Sequence, residues 1–394
     1  MSTLNQIFVI TLMNLRNLPA RKASSMVIVV GIAGVVTVLI AILSMAQGFE
    51  ATLRGAGQAD RAIVIRAGSD SEMGSSVPVD EARQIETMPG LARIDGNPLV
   101  AGETYVIADI KKRANNSDAN MPMRGVEPES FKIRNEVEIV EGRNFQFGRF
   151  ELIAGVKAAN QFQGIDLGAQ LQIRGAKWKV VGLFESGGSI HESEVWVDNA
   201  ILVAELNRGW GYSSMIARLE SPLDLEVFGN AMEDDPQLET KAVRESSYYN
   251  EQSTGITSLI TNFGYWVAAI MAGGAIFGAL NTMYSAVSTR SVEIATLRAL
   301  GFSPIPVVIS VLVESIMLAL LGGSLGSAIA YTFFNGYTAS TMGATFSQVS
   351  FDFAVTRELI VQGITWSCLL GLIGGLFPSV AAARQPITVA LRGL

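Results

Sequence analysis

Few residues in this chain are suited to chemistry, and their spacing excludes more than it allows. His191 is the only histidine, so a site needing two imidazoles cannot form within one chain. It sits in GGSIHESEV, with Glu192, Glu194 and Asp198 close by in sequence. A Ser-His-Asp triad needs a carboxylate to orient the imidazole and a serine to attack. No serine stands in a nucleophile-elbow pattern, so His191 reads as an exposed loop residue or a surface hydrogen-bonding group. Cys368 is the only cysteine, which rules out a disulfide within the chain and zinc sites built on paired Cys or His. No metal site is expected. The phosphate-cradling pattern G-x-x-x-x-G-K-[ST] does not occur, so ATP cannot be held by a P-loop of this chain. The expectation is a non-catalytic protein that binds no cofactor itself.

What remains is a short charged stretch, TRSVEIATLRALGFSP, at residues 289–304. At 100° per residue, Val292, Ala295, Ala299 and Leu300 form one small apolar face. Arg290, Glu293, Ile294, Leu297 and Arg298 share the other, mixed face. Gly301 suits a helix C-terminus and Pro304 prevents continuation. A helix this short is marginal alone and needs a surface to pack on. Its mixed face suits a protein groove, or its charges simply hold membrane topology; length and patterning alone favour the second. Glu314, ten residues past Pro304, falls in an apolar run where an ionised side chain costs on the order of 2.5–3.5 kcal/mol. It is either a polar contact inside a helix bundle or a residue at the membrane interface.

The surrounding composition explains why such a stretch stands out. Of 394 residues 49% are hydrophobic and 16% charged, with mean hydropathy +0.34, against about a quarter charged in typical soluble domains. Residues 23–49, 252–289, 315–351 and 359–383 carry no charge, and each run exceeds the roughly 20 residues that cross a bilayer as helix. Residues 47–256 instead hold 21 Lys+Arg against 32 Asp+Glu, which argues against nucleic acid as a partner. The fold class expected is an α-helical membrane protein with four transmembrane helices plus a mixed α/β extracytoplasmic domain between helices 1 and 2.

The chain divides accordingly. Residues 1–23 form an amphipathic helix with Leu4, Ile7, Phe8, Leu12, Leu15 and Leu18 near one face, lying in the interface or packed on the spans. The first span is 24–49, a retained span rather than a cleaved signal, whose apolar core would be about 7–15 residues. The external domain covers 50–253 as two α/β subdomains. The second span is 254–287; as helix, the uncharged run 252–289 would be roughly 57 Å long, enough to continue outward as a stalk. The charged helix occupies 288–304, the third span 305–333, a short external loop 334–357, the fourth span 358–380 and a tail 381–394. Arg16, Arg21, Lys22, Arg290, Arg298, Arg384 and Arg392 fall on one side, which the positive-inside rule makes cytoplasmic. Both termini are thus expected in the cytoplasm.

Small-xxx-small spacings mark expected helix contacts at Gly274 with Gly278, Gly322 with Gly326, and Gly371 with Gly375. Within the external domain, RAIVIRAG reads as an alternating strand. PVDEARQIETMPG reads as a short helix capped by Asp80 and stopped at Gly90. QLQIRGAKWKVVGLFES reads as a hairpin turning at 174–177, and SEVWVDNAILVAEL as a strand running into a helix. The polar ANNSDAN at 114–120 is expected at a subdomain boundary.

The segment RSVEIATLRALGFSPIPVVISVLVESIMLALLGGSLGSAIA, residues 290–330, resembles the MacB/FtsX-like permease family of ABC transporters, which includes the lipoprotein-releasing LolC/LolE type. It has the family's charged R-x-x-E-I-x-x-L-R-A-L-G helix, then the span glutamate and the Gly-rich turn. RQPITVALRGL, NLRNLPARKASSMVIVVGIA, QGFE, MRGVEPESFK, EGRNF and GAQLQIRGAKWKVVGLFES are similar too, so the likeness covers nearly the whole chain. The resemblance implies that 289–301 is the coupling helix seated in a nucleotide-binding subunit, with Arg290, Glu293, Ile294, Leu297 and Arg298 as contact residues. It implies a dimer, with two identical copies favoured over two different ones, and ATP and Mg bound by the partner ATPase subunit. It implies an inner-membrane, multi-pass location in contact with membrane lipid, and mechanotransmission from the ATPase to the external domain. Efflux with a periplasmic adaptor and an outer-membrane duct is the first expectation; lipoprotein release and signalling to an external hydrolase are the alternatives. MacB carries its ATPase fused at its N-terminus; this chain departs there, so the ATPase is expected in trans.

Overall fold

The computed structural model describes residues 3–16, 22–173, 175–206, 211–343 and 347–386. Helices α1 (Thr3–Arg16) and α2 (Lys22–Arg54) come first. They are followed by β1 (Arg61–Arg66), β2 (Val77–Pro78), α3 (Val79–Ile85), β3 (Arg93–Ile94), β4 (Asn97–Pro98), β5 (Val100–Lys111), β6 (Asp118–Val126) and α4 (Pro128–Ile133). Next are β7 (Glu138–Gly142), β8 (Glu151–Gly155), α5 (Val156–Gln161), β9 (Gln170–Ile173), β10 (Ala176–Glu185), β11 (Val195–Asp198) and α6 (Asn199–Glu205). Then come β12 (Gly211–Tyr212), β13 (Ser214–Arg218), α7 (Leu225–Glu233), β14 (Thr240–Arg244) and α8 (Glu245–Thr289). The chain continues through α9 (Ser291–Ala299), α10 (Pro304–Phe334), β15 (Thr338–Met342), β16 (Gln348–Asp352) and α11 (Arg357–Arg384). Two compact units result: residues 1–47, 259–337 and 353–394 in one, and residues 48–258 and 338–352 in the other.

In the helical unit, α2, α8, α10 and α11 are each long and apolar enough to cross a membrane. Glycines set how closely three of them approach. A Cβ on Gly322 or Gly326 of α10 would lie 2.8 Å from the Val29 carbonyl oxygen or 2.5 Å from that of Ala33 on α2. Thr37 Oγ1 donates to the Gly326 carbonyl at 3.1 Å across the same contact. On α11, a Cβ on Gly371 would meet the Ala319 Cβ at 2.5 Å, and one on Gly375 the Ser315 Cβ at 2.6 Å. Ser315 Oγ donates to the Gly371 carbonyl at 2.6 Å. These are the close backbone approaches that small residues permit in lipid, where apolar surface gives no net drive to associate. Gly274 and Gly278 behave differently from the sequence expectation: a Cβ on either would meet nothing within 4 Å. That part of α8 presents Trp266, Ile270 and Phe277 outward, so the spacing there packs against no helix of this chain among the described residues.

Helix α1 turns Ile10 and Asn14 inward while Leu4, Phe8 and Leu12 stay exposed. The leader's apolar face thus points away from the protein, as in a helix lying in a membrane interface. Leu15 and Leu18 lie outside the described side chains.

The second unit is a mixed sheet in the order β14-β1-β13-β5-β6-β11-β8-β10-β7, with β9 paired to β10. Two neighbours, β10 with β8 and β11 with β6, are parallel; the others are antiparallel. One core gathers Val64, Ile85, Met215 and Phe228. Another gathers Met121, Phe162, Trp178 and Leu202. The long β5 serves both, giving Val100 to the first and Val106 to the second. The subdomain boundary therefore runs through a strand, and 114–120 is instead the tip and first residues of the β5–β6 hairpin. A polar tract marks a turn as readily as a linker. Strand β1 is buried on both faces rather than alternating, and β13 and β14 pair with its two edges.

Helix α3 begins at Val79 after Pro78, so Asp80 lies in its first turn and is not its cap. It ends at Ile85, five residues before Gly90, whose φ of +84° serves a later turn. The β9–β10 hairpin and the β11–α6 junction stand where the sequence placed them. The segment expected as a short loop at 334–357 folds as the β15–β16 hairpin, which is part of this unit. Ser350 N donates to Ser193 Oγ at 2.9 Å, and Phe351 stacks edge-on against Phe49 with centroids 5.5 Å apart.

Candidate coupling site

Helix α9 is built to stand apart from its neighbours. Arg290 breaks the helical run after Thr289 with φ −104°, and Gly301 closes the far end at φ +92°, a conformation glycine adopts without strain. Pro304 then opens α10 at its first turn, where a missing N–H costs nothing.

The orientation of α9 reverses part of what its periodicity implied. Arg290, Ile294 and Ala295 are buried, whereas Glu293, Thr296, Ala299 and Leu300 are exposed. Arg290, expected to reach outward, is 5% exposed. Its Nη1 lies 3.1 Å from Glu314 Oε2 on α10. Ile10, Asn14, Val287, Ile294 and Ser310 surround the pair at a cavity of about 20 Å³. Asn14 donates to Ser310 in the same place. Glu314 thus sits inside the helical unit with a cationic partner, not at an interface. Arg298 is half-buried and its Nη1 donates to the Gln385 carbonyl at 2.7 Å, just past α11. Of the five residues expected on the outer face, only Glu293 is exposed; Leu297 is half-buried. The physical reason is the ion pair: a guanidinium can enter this apolar setting only against a carboxylate, and Glu314 supplies it from another helix, 24 residues on. The pair rotates α9 so that the arginine side faces inward.

A second charged assembly lies in the α/β unit and has no counterpart in the sequence reading. Arg124 on β6 is fully enclosed. Its Nη1 lies 2.7 Å from Glu72 and 2.8 Å from Glu103, and its Nε 2.8 Å from Glu194. Arg134 pairs with Glu103 and stands 3.5 Å from Glu245. Arg61 makes a two-pronged contact with Glu136 at 2.7 and 2.6 Å. Burial alone would raise the Glu194 carboxyl, but Arg124 against it holds it well below the usual carboxylate range. Glu103 shifts in the same direction: burial opposes, and Arg134 with Arg124 prevails.

His191 belongs to this assembly and is completely buried, contrary to the exposed position expected for it. Its Nδ1 is 3.3 Å from Glu194 Oε2, and its ring meets those of Trp196 and Tyr249 edge-on. The same Glu194 oxygen accepts from Trp196 Nε1 at 2.8 Å. Glu192 accepts from the Ser186 and Gly188 amides, and Asp198 caps α6 through the Ala200 amide. The carboxylates around the histidine are therefore committed to structural bonds. Among the described residues there is no group of His, Cys, Asp and Glu side chains arranged to hold a metal ion.

With these geometries established, comparison with known proteins places the chain. A family described as the MacB-like periplasmic core domain matches residues 25–235, and the FtsX-like permease C-terminal family matches residues 265–387. An uncharacterized ABC transporter permease YknZ of Bacillus subtilis is 25% identical over 408 residues, spanning 96% of this chain and 98% of that protein. A macrolide export ATP-binding/permease protein MacB of Vibrio parahaemolyticus is 23% identical, spanning 93% of this chain and 56% of that protein. The solved extracellular domain of YknZ from Gram-positive bacteria aligns with 46% of this chain and 99% of its own length, at 16% identity and a TM-score of 0.36. The first family match covers more than half of the chain, and the second takes in α9, α10 and α11. The chain belongs to the MacB/FtsX-like permease family of ABC transporters.

Proposed function

We propose that this chain is the membrane subunit of an ABC-type exporter, driven by a separate nucleotide-binding subunit that docks on α9. The observation that carries the reading is the division of α9 into two faces. One is fastened to α10 and to the end of α11 through Arg290–Glu314 and Arg298–Gln385. The other offers Glu293, Thr296 and Leu300, the last 73% exposed. A helix this short transmits force only if it is held on one side and free on the other. The partner binds ATP and Mg; this chain supplies no catalytic group.

In this reading the chain works as a pair of copies in the inner membrane, both termini cytoplasmic, as the distribution of basic residues favours. Helix α8 runs uninterrupted from Glu245 to Thr289 and carries ATP-driven motion toward the external domain. A periplasmic adaptor and an outer-membrane duct complete the route for cargo. Export as the task is supported by the MacB relatives, which are named macrolide export ATP-binding/permease proteins.

Co-purification tests the reading. An ATPase subunit is expected in the complex, and Glu293→Lys is expected to lower its recovery while membrane insertion is kept. A complex that holds no ATPase removes the proposal. A second, different permease chain with bound lipoprotein would replace efflux by lipoprotein release, and a bound wall hydrolase would replace it by signalling.

A further inference from the structure

The α/β unit holds a cleft of about 810 Å³ that the network around Arg124 does not use. It lies where β6 passes into α4, where β11 passes into α6, and beside β12. Its volume falls in the range of drug-sized ligand sites, about 300–1,000 Å³. Val79, Pro128, Phe147 and Val203 give it apolar walls.

Its polar groups are of one kind. Glu127, Glu129 and Asp198 line it, and no Lys, Arg or His is among the described residues that do. The Glu127 carboxylate accepts from the Gly102 amide and from the Tyr212 hydroxyl, each at 2.9 Å. The Asp198 carboxylate accepts from the Gly148 amide at 2.6 Å and the Ala200 amide at 2.9 Å. Dipoles thus fix both anions in place, but neither pairs with a cation among the described residues. Glu129 has only the exposed Lys132 ammonium, 3.6 Å away. Asn199, on the same wall, is 5% exposed, and its Oδ1 is enclosed against Gly125 rather than open to the cleft. The one hydroxyl donor in the described lining, Tyr212, is already used. The cleft therefore offers hydrogen-bond acceptors and negative charge around an apolar space.

We infer that this cleft binds an amphiphilic amine: a protonated primary or secondary ammonium held by Glu127 and Asp198, with an apolar body against Phe147 and Val203. Anionic and uncharged molecules of the same size would leave the carboxylates uncompensated and are rejected. Treating the amine as transported cargo rests on the export reading above; its binding does not.

The test uses the full chain in phosphatidylcholine nanodiscs with two fluorescent probes that share one fluorophore. Dansylcadaverine carries a primary ammonium and dansylglycine a carboxylate. The first is expected to bind saturably above the signal of empty nanodiscs, and the second at least about tenfold more weakly, a difference of about 1.4 kcal/mol. Ala204→Trp and Ala200→Trp place a large ring in the cleft from two exposed positions of α6. Each is expected to weaken dansylcadaverine by about tenfold or more, and Glu127→Gln by several-fold. Equal affinity for the two probes overturns the inference, as does dansylcadaverine binding that neither tryptophan changes. Neither ATP nor an ATPase subunit is present. Amine binding by a chain that recruits no ATPase would keep the cleft and remove the export reading, and the converse result would do the opposite.

Discussion

Arg290 Nη1 and Glu314 Oε2 lie 3.1 Å apart, each side chain about 6% exposed, one immediately before α9 and the other within α10. A charge pair withdrawn this far from water contributes little net stability when intact, because the cost of dehydrating both groups offsets their attraction. Breaking it is another matter. Removing one partner strands the other charge at a cost of about 3–5 kcal/mol. Arg290→Ala and Glu314→Leu are each expected to lower the thermal midpoint of the detergent-solubilised chain markedly. Arg290→Met with Glu314→Leu together should recover most of that loss. Single variants no less stable than the double would show that the pair does not fasten α9.

The free side of α9 should respond in the opposite way. Glu293 and Leu300 make no described side-chain contact that holds the helix, so Glu293→Lys and Leu300→Glu are expected to change stability by no more than about 0.5 kcal/mol. Both should reduce recovery of the ATPase subunit in a pull-down. If Leu300→Glu leaves that recovery intact while Glu293→Lys reduces it, docking is confined to the first turn of α9.

Acid should unfold the α/β unit through its carboxylates, and the sign follows from Glu194 and Glu103. Arginines hold both below the ordinary value of 4.5 in the folded chain, against the effect of burial. A group with a depressed folded pKa contributes stability that is fully present above its unfolded value and is lost as pH falls toward the folded one. Urea-derived stability of the full chain should therefore decline below about pH 4.5, by up to about 1.4 kcal/mol per pH unit for each carboxylate that takes up its proton on unfolding. Glu127 runs the other way: burial raises it above 4.5, despite the Gly102 amide and Tyr212 hydroxyl bonded to it. Any gain from protonating Glu127 appears on the high-pH side of that value, so it cannot mask the acid limb. A stability flat down to about pH 3 would contradict the arginine-held carboxylates.

How much of this was legible in the sequence depended on the range of the forces involved. The four uncharged runs marked the long helices because hydrophobic length is a local property, and β-rich composition marked β9, β10 and β11 for the same reason. The α9 segment is recognisable, but its rotation is not, since that depends on a glutamate one helix further on. The buried network is longer in range still. Arg124 meets Glu72, Glu103 and Glu194 across separations of 52, 21 and 70 residues. No local pattern distinguishes these charges from solvated ones. His191 escapes on the same account: a polar, glycine-preceded segment suggests a surface loop, yet Trp196, Tyr249 and Glu194 enclose it. The hairpin at 338–352 is hidden because a short stretch between two spans reads as a loop, and its strand pairing has no strong local signal.

The glycine pairs give the sharpest contrast between spacing and structure, because three identical motifs make two different predictions. Gly326→Val would drive a side chain into the Ala33 backbone, 2.5 Å from where its Cβ must lie. Backbone cannot yield as a flexible side-chain end does, so α2 and α10 must separate. Overpacking of this kind costs about 1–3 kcal/mol and here also strains the Thr37–Gly326 hydrogen bond. Gly274→Val meets nothing within 4 Å, and replacing glycine inside an exposed helix removes part of its entropic cost. In a single copy of the chain, Gly326→Val should therefore lower the thermal midpoint while Gly274→Val leaves it unchanged or slightly higher. Measuring both in dilute detergent and again at high protein density in bilayers separates contacts within the chain from contacts between copies. Gly326→Val should be destabilising in both settings. A loss from Gly274→Val seen only at high density would place the Gly274–Gly278 face of α8 against a second copy, and a loss in dilute detergent would contradict its open surroundings.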